Sequence, residues 1–160
     1  MKIVLDIRGN AQAWLELLEA LVRINEGILE KEPEFPALYG SGVRYQREVE
    51  ERWVDCAGVV RDGIEDCDSL SAWRCAELRV RGWRALLRDH PGYAAARRAG
   101  MTSLHAQVIL RRPRNDNLYH ALVVYRVGQK LYEDDPSARL GMLGTIDPTV
   151  RRLEQRLKAA

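Results

Sequence analysis

The sequence predicts a single domain of the α+β class, in which amphipathic helices precede an antiparallel hairpin. Apolar residues recur at helical spacing over residues 11–31 and again over 68–81. Two β-rich runs, 119–127 and 130–133, flank the tight turn Gly128-Gln129 and indicate a hairpin. The chain has 160 residues and no low-complexity tract or linker, so we expect one domain over residues 1–160.

The first long helix follows Asn10, a residue type favoured at the N-cap. Pro33 and Pro36 end it, because proline lacks the amide that a helix interior needs. Its apolar stripe packs on the rest of the domain or on a partner helix. Before it, residues 2–7 alternate weakly and predict a short edge strand.

Two further helices are predicted in the middle of the chain. Apolar spacing predicts one over 48–60, broken at Asp62-Gly63. The helix over 68–81 ends at Gly82. This helix has four small side chains, Ser71, Ala72, Cys75 and Ala76. Since small side chains let a helix approach a sheet closely, we expect the helix to be central.

The remaining elements are shorter. Residues 83–100 fit either helix or strand, while the alternation of apolar and polar residues predicts a strand over 103–111. Asp147-Pro148 has N-cap and N1 residues in the preferred order and predicts a final short helix.

Composition limits the class of protein. No run of 18 uncharged apolar residues is present, so we expect no transmembrane helix and no membrane partner. Asp6 and Arg8 interrupt any signal core, and three cysteines do not form a disulfide framework. We therefore expect a protein made in the reducing cytoplasm.

Charge is unevenly distributed although the net charge is only +2. Nine arginines and one acid, Asp89, lie between Arg79 and Arg114. Such a block is compatible with a nucleic-acid or acidic-protein surface. In a chain this rich in arginine we interpret it as a solvated face, and we do not expect nucleic acid as a partner.

Cys67 is the leading candidate for chemistry. It follows a turn and stands where the second long helical pattern begins, and the field at a helix N-terminus favours a thiolate. The carboxylates of Glu65, Asp66 and Asp68 oppose that charge, so an activated thiol needs an imidazolium beside it. The alternative is that Cys67 is a small buried apolar residue, as we interpret Cys56 and Cys75.

His120 is the candidate base, because it opens a predicted strand. Asp135 lies at the far end of the hairpin, where the returning strand brings it near His120 to orient the ring. Asp134 is the competing acid, facing the other way in an extended chain. His90 and His105 are interpreted as surface or loop residues.

These blocks resemble the transglutaminase-like cysteine peptidase superfamily, and most of all its small bacteriophage-encoded members. The resemblance spans roughly residues 38–142 and rests on four stretches: LYGSGVRY from Leu38, EDCDSLSAWRCAELR from Glu65, Tyr119-His120, and DPSARLGM from Asp135. It implies a papain-like α+β core with the cysteine-bearing helix packed on an antiparallel sheet, here with an extra N-terminal amphipathic helix.

The resemblance further implies a Cys67–His120–Asp135 triad that acts on amide bonds without metal or cofactor. Candidates to stabilise the oxyanion or bind substrate are Tyr45, Gln46 and Trp53, besides the Cys67 backbone amide.

Two functions follow as hypotheses. One is a thiol-dependent amide hydrolase or acyl transferase acting on a peptide, an isopeptide or a peptidoglycan-like cross-link. The other is a virion structural component, such as a connector, adaptor or tail protein, that contacts other phage proteins and reuses the fold with little or no activity.

Overall fold

A computed structural model describes residues 10–47, 52–111 and 119–142 of the chain. It is a mixed helical and β-sheet structure, in agreement with the predicted α+β class. In chain order the elements are α1 (Ala11–Lys31), β1 (Arg44–Tyr45), α2 (Cys56–Asp62), β2 (Ile64–Glu65), α3 (Cys67–Arg81), α4 (Tyr93–Arg98), β3 (Ala106–Arg111), β4 (His120–Val127), β5 (Lys130–Asp134) and α5 (Pro136–Arg139). Two short 3₁₀ turns, Leu38–Gly40 and Gly82–Ala85, lie between them.

Helix α1 has the bounds that its apolar period predicts. The Asn10 side chain caps it by accepting a hydrogen bond from the Ala13 amide at 3.0 Å. Leu18 and Val22 are fully buried on the face that packs against α3 and β3. Its buried Asn25 accepts a hydrogen bond from the Cys56 amide at 2.8 Å, which fixes the start of α2 against α1.

Helix α3 is the centre of the described structure. Every residue from Asp68 to Leu78 is buried, and the helix contacts both α1 and the sheet strands β3 and β4. This confirms the central position that its small side chains predicted. Because this helix is packed on all sides, its first residue, Cys67, is held at a fixed position relative to the sheet.

The sheet that faces α3 is antiparallel, with strand order β3-β4-β5. Residues Ala106 and Arg111 pair with Tyr125 and His120, and Val123 pairs with Asp134. Gly128 has φ 60° in the two-residue β4–β5 turn, a conformation that glycine adopts without strain. The hairpin is therefore confirmed, and its far end brings Asp134 and Asp135 towards the start of β4.

A second, small pairing leads the chain into α3. Strands β1 and β2 are parallel, with Tyr45 beside Glu65, and the Gln46 amide donates to the Glu65 carbonyl at 2.9 Å. The Tyr45 amide donates to the carbonyl of Leu140 at 2.9 Å. The segment around Tyr45 is thus held both to the residues before Cys67 and to the end of α5.

Two expectations need correction, and one open alternative is resolved. The helix predicted over 48–60 begins only at Cys56, because Asp55 caps it and the Val54 amide donates to Ser69 Oγ of α3 instead of a helical carbonyl. The strand predicted from residue 103 begins at Ala106, because the Leu104 amide donates to the Leu78 carbonyl at the end of α3. The ambiguous stretch 83–100 is a 3₁₀ turn followed by the short helix α4.

Other expectations lie outside the described residues. These are the edge strand over 2–7, the final helix after Asp147-Pro148, and the part of the predicted second helix over 48–51. Within the part of the chain that the structure describes, no helix combines the length and the apolar character needed to cross a membrane.

Candidate functional site

Cys67 is the first residue of α3, at the N1 position. Asp66 is the N-cap, and its carboxylate accepts a hydrogen bond from the Asp68 amide at 3.2 Å. An amide at N1 has no carbonyl partner within its own helix, so the Cys67 N–H is directed out of the helix end. The prediction that Cys67 lies at a helix N-terminus is therefore confirmed.

The environment of the thiol keeps it protonated. Burial raises the pKa of Cys67, and the neighbouring carboxylate of Asp68 raises it further, while the backbone amide of Ala121 acts in the opposite direction. The S–H group donates to Asp68 Oδ1 at 3.6 Å. The helix field does not overcome these effects. At rest the sulfur is a thiol, as the crowding of acids in the sequence predicts.

His120 and Asp135 contact each other directly. The distance between His120 Nε2 and Asp135 Oδ2 is 2.8 Å. The other oxygen of Asp135 caps α5 by accepting from the Ala138 amide at 3.1 Å, so both oxygens of the carboxylate are held. The two residues meet along the diagonal of the β4–β5 hairpin, since Asp134 pairs with Val123 and Asp135 follows it.

The protonation of this pair follows from its contacts. Burial opposes the charge on Asp135, but the hydrogen bonds from His120 and from the Ala138 and Ser137 amides outweigh it and lower the pKa of the carboxyl. An ionised Asp135 only accepts hydrogen bonds, so His120 Nε2 carries a proton. The lone pair of the neutral ring is then on Nδ1, which leaves that atom to exchange a proton.

Cys67 lies beside the strand that carries His120. The Ala121 amide lies near enough to the sulfur to lower the pKa of Cys67, and Ala121 is the next residue after His120. Tyr45 lies close enough to these residues for the charges of Cys67, Asp66 and Asp135 to act on its hydroxyl. The side chains of His120 and Asp135 are 19% and 29% exposed. His120 and Asp135 are therefore partly open to solvent, and Cys67 is half-buried.

The oxyanion candidates are not equivalent. Burial, followed by the charges of Cys67 and Asp66, raises the pKa of Tyr45 to about 12, so its hydroxyl remains a hydrogen-bond donor beside the sulfur. Gln46 is exposed and held by its backbone to Glu65. Trp53 packs on Trp14 of α1, with ring centroids 5.2 Å apart. The charge of Cys67 acts on the Tyr45 hydroxyl, which favours Tyr45 among the three candidates.

Asp134 faces away from His120 and belongs to a buried ionic network. Its two oxygens accept from Arg74 Nε at 2.8 Å and from Arg139 Nε at 2.9 Å, and the Tyr39 hydroxyl donates to it at 2.8 Å. Arg74 also donates to Glu77 Oε2 at 2.7 Å. The structure thus separates the two consecutive acids: Asp135 contacts the imidazole and Asp134 anchors the sheet to α3.

The other cysteines and histidines occupy different surroundings. Cys56 and Cys75 are fully buried, and burial raises the pKa of each to about 12, as their interpretation as apolar residues requires. His105 is exposed. His90 does lie in a loop, but it is partly buried: its Nε2 is 2.7 Å from the Tyr125 hydroxyl, and its Nδ1 accepts from the Gly92 amide at 2.9 Å.

Sequence reasoning missed two residues that join α3 to the hairpin, Ser71 and Arg74. Ser71 Oγ donates to the Ala121 carbonyl at 3.0 Å. The available signal was spacing: they follow Cys67 by four and seven residues and so lie on the same helix face. A buried arginine at such a position requires an acidic partner.

Within the described residues, no group of three or more histidine, cysteine or acidic side chains is arranged to hold a metal ion. Comparison with protein-family models, with curated proteins and with solved structures yields no match.

Proposed function

We propose that this protein is a thiol-dependent amide hydrolase or acyl transferase. The observation that carries the proposal is the His120–Asp135 contact at 2.8 Å, formed next to Ala121, whose amide lies near the Cys67 sulfur. A nucleophile, a base and a group that orients the base are the three parts that such chemistry needs. The order Cys, His, Asp along the chain is the order in the transglutaminase-like superfamily.

The proposed reaction begins with proton transfer from the Cys67 thiol to His120 Nδ1, while Asp135 holds Nε2–H. The sulfur then attacks the amide carbonyl carbon, and the oxyanion accepts hydrogen bonds from the Cys67 amide and the Tyr45 hydroxyl. The imidazolium protonates the leaving amine as the C–N bond breaks, which leaves a thioester. Water, or a second amine, attacks the thioester with His120 as base and regenerates the thiol.

A papain-like core is part of the proposal. It is supported by the arrangement of a central helix, with Cys67 at its start, against a three-stranded antiparallel sheet whose middle strand begins with His120. On this basis the substrate is a peptide, an isopeptide or a peptidoglycan-like amide. The likeness to small bacteriophage members extends the proposal to a protein made in the cytoplasm and associated with phage particles.

One observation favours the second candidate, a virion structural component with little activity. Burial and two carboxylates raise the pKa of Cys67, so the thiol lacks the depressed pKa typical of many activated cysteines. In this case the fold serves as a scaffold that contacts other phage proteins, and the triad is a remnant.

Alkylation of the thiols separates the two candidates. With an active site, iodoacetamide labels Cys67 much faster than Cys56 or Cys75, which are fully buried. Replacing His120 with alanine slows the labelling of Cys67 near neutral pH, because the proton acceptor is lost. The Asp135→Asn variant slows it less while keeping an N-cap residue on α5, since asparagine caps as well as aspartate does. Mass spectrometry of each cysteine-containing peptide gives the rates.

The control is His105→Ala, which removes an exposed histidine that lies outside this group of residues. Equal Cys67 labelling rates in the parent and in His120→Ala would exclude a thiol–imidazole pair and leave the structural candidate.

A further inference from the structure

Three residues of α3 lie on one face of the helix and contact the hairpin. Cys67, Ser71 and Arg74 are spaced by four and three residues, the spacing that places side chains along one stripe. The Cys67 sulfur is near the Ala121 amide, Ser71 Oγ donates to the Ala121 carbonyl at 3.0 Å, and Arg74 Nε donates to Asp134 at 2.8 Å. The stripe therefore follows the hairpin from β4 to the end of β5.

The two residues that this stripe contacts are the chain neighbours of the candidate catalytic pair. Ala121 follows His120, and Asp134 precedes Asp135. A shift of α3 along the sheet would break both contacts at once. The distance between the thiol and the imidazole is thus determined by contacts one residue away from each member of the pair.

Both contacts are well shielded from water. Ser71 is fully buried, and Arg74 and Asp134 are 2% and 3% exposed. Arg74 Nη1 also donates to Glu77 Oε2 at 2.7 Å and to the Ala85 carbonyl at 2.9 Å, while Asp134 also accepts from Tyr39 and Arg139. A buried polar network with its members satisfied in this way holds one geometry firmly.

We propose that Ser71 and Arg74 are positioning residues, which hold the Cys67 helix in register with the strand ends that carry His120 and Asp135. The proposal rests on the proposed function. Neither residue touches the substrate; each acts through the backbone or carboxylate of a residue beside the pair. The thiol and the imidazole are supplied by elements more than fifty residues apart in the chain, so their alignment depends on such contacts.

The test is a double-mutant cycle on Cys67 alkylation by iodoacetamide. Ser71→Ala removes one hydrogen bond with little change in helix propensity. We expect labelling on the order of tenfold slower near neutral pH, because small misplacements of a base are costly. In the His120→Ala background the same substitution has no further effect, since no imidazole remains to be aligned.

A matched control is Ser69→Ala in the same helix. Ser69 is also fully buried, and its Oγ accepts from the Val54 amide at 3.0 Å, on a different side of the helix from the hairpin. We expect Ser69→Ala to lower stability to urea as Ser71→Ala does, but to leave the rate of Cys67 alkylation and its pH profile unchanged. Arg74→Lys, which keeps the charge but not the branched contacts, is expected to slow labelling as Ser71→Ala does.

Each outcome gives a decision. If Ser71→Ala labels at the parent rate while His120→Ala is slow, the positioning role is wrong and the proposed function stands. If Ser71→Ala slows labelling equally in both backgrounds, the effect is a general loosening and the positioning role is again wrong. If His120→Ala labels at the parent rate, the proposed function fails, and the positioning role fails with it. Should Arg74→Lys not fold, the Ser71 cycle still decides.

Discussion

The charge state of Cys67 depends on neighbours that act in opposite directions. Burial and the carboxylates of Asp68 and Asp66 favour the thiol, whereas the Ala121 amide favours the thiolate. Asp68 is buried and accepts the S–H bond itself. A buried carboxylate this close stabilises the protonated thiol, so the proposed reaction requires His120 to remove a proton that Asp68 helps to hold.

Removing the charge of Asp68 is expected to release the thiol. Asp68→Asn keeps the shape of the side chain and eliminates the negative charge that raises the pKa of Cys67. The pH profile of Cys67 alkylation should move to lower pH, with labelling about tenfold faster at neutral pH, the change that one pKa unit produces. Stopped alkylation followed by mass spectrometry measures it across a pH series.

Asp62→Asn is the matched control, because it changes net charge equally at the end of α2, where Asp62 pairs with Arg61 at 2.9 Å. A parent-like profile for Asp68→Asn would mean that burial alone keeps the proton on Cys67.

At the scale of elements, α1 shows how far a periodic pattern determines structure. Leu18 is fully buried in its apolar stripe, whereas Ile24 on the same helix is 53% exposed. The helix is long and capped at Asn10, and its contribution to the core comes from one face only.

Glutamate substitutions at these two positions should therefore differ strongly. Leu18→Glu places an unpaired carboxylate in the core, at a cost of about 5 kcal/mol. That is a large part of the whole stability of an ordinary domain. Ile24→Glu is expected to stay within about 0.5 kcal/mol of the parent. Urea denaturation followed by circular dichroism gives both values, and similar midpoints for the two variants would contradict the burial of this face.

The elements that sequence predicted well are those specified by local signals. Helix α1, the hairpin and the end of α3 at Gly82 follow from period, turn chemistry and caps. The starts of α2 and β3 were wrong because hydrogen bonds to α3, from Val54 to Ser69 and from Leu104 to Leu78, replace the local ones. Those bonds join segments far apart in the chain, and no local pattern records them.

The residues of the candidate site also divide into those that local signals predict and those that depend on long-range packing. Alternation along a strand separates Asp134 from Asp135, so the sequence could favour Asp135 as the partner of His120. The Arg74–Asp134 pair joins residues 60 positions apart. This pair forms because of the way in which α3 packs against the sheet. The spacing of Arg74 from Cys67 places Arg74 on the same helix face but does not identify Asp134 as its partner.

At the scale of the whole molecule, a histidine and two tyrosines tie the loop before α4 to the hairpin. The rings of His90 and Tyr132 are 4.6 Å apart, and those of Tyr125 and Tyr132 are stacked at 5.8 Å. Burial lowers the pKa of His90, with smaller and opposing effects from the charges of Asp134, Arg74, Arg139 and Asp89. The neutral ring is required, because Nδ1 accepts the Gly92 hydrogen bond.

This cluster predicts a loss of stability in mild acid. The unfolded chain takes up a proton at the ordinary histidine pKa of about 6.5, before the folded chain does. Stability is therefore fully present above that pH and declines as the pH falls below it. His90→Gln should be less stable than the parent at pH 8 but decline less steeply towards pH 5. Urea midpoints over this range test it.

His105→Gln is the control, because His105 is exposed and should leave the slope unchanged. A His90→Gln slope equal to that of the parent would show that His90 does not titrate differently on folding.

The two-residue turn at Gly128-Gln129 has a consequence for how the protein tolerates insertions and deletions. Because successive residues of β5 point to opposite faces, the turn sets which of the two adjacent acids meets the imidazole and which meets Arg74. Inserting or deleting one residue there would exchange the faces on which Asp134 and Asp135 lie. The buried Arg74 would then lose its contact with Asp134, and His120 would lose its contact with Asp135. Changes of length in this turn should therefore be rare among functional variants, whereas changes of residue type at Gln129 should be common.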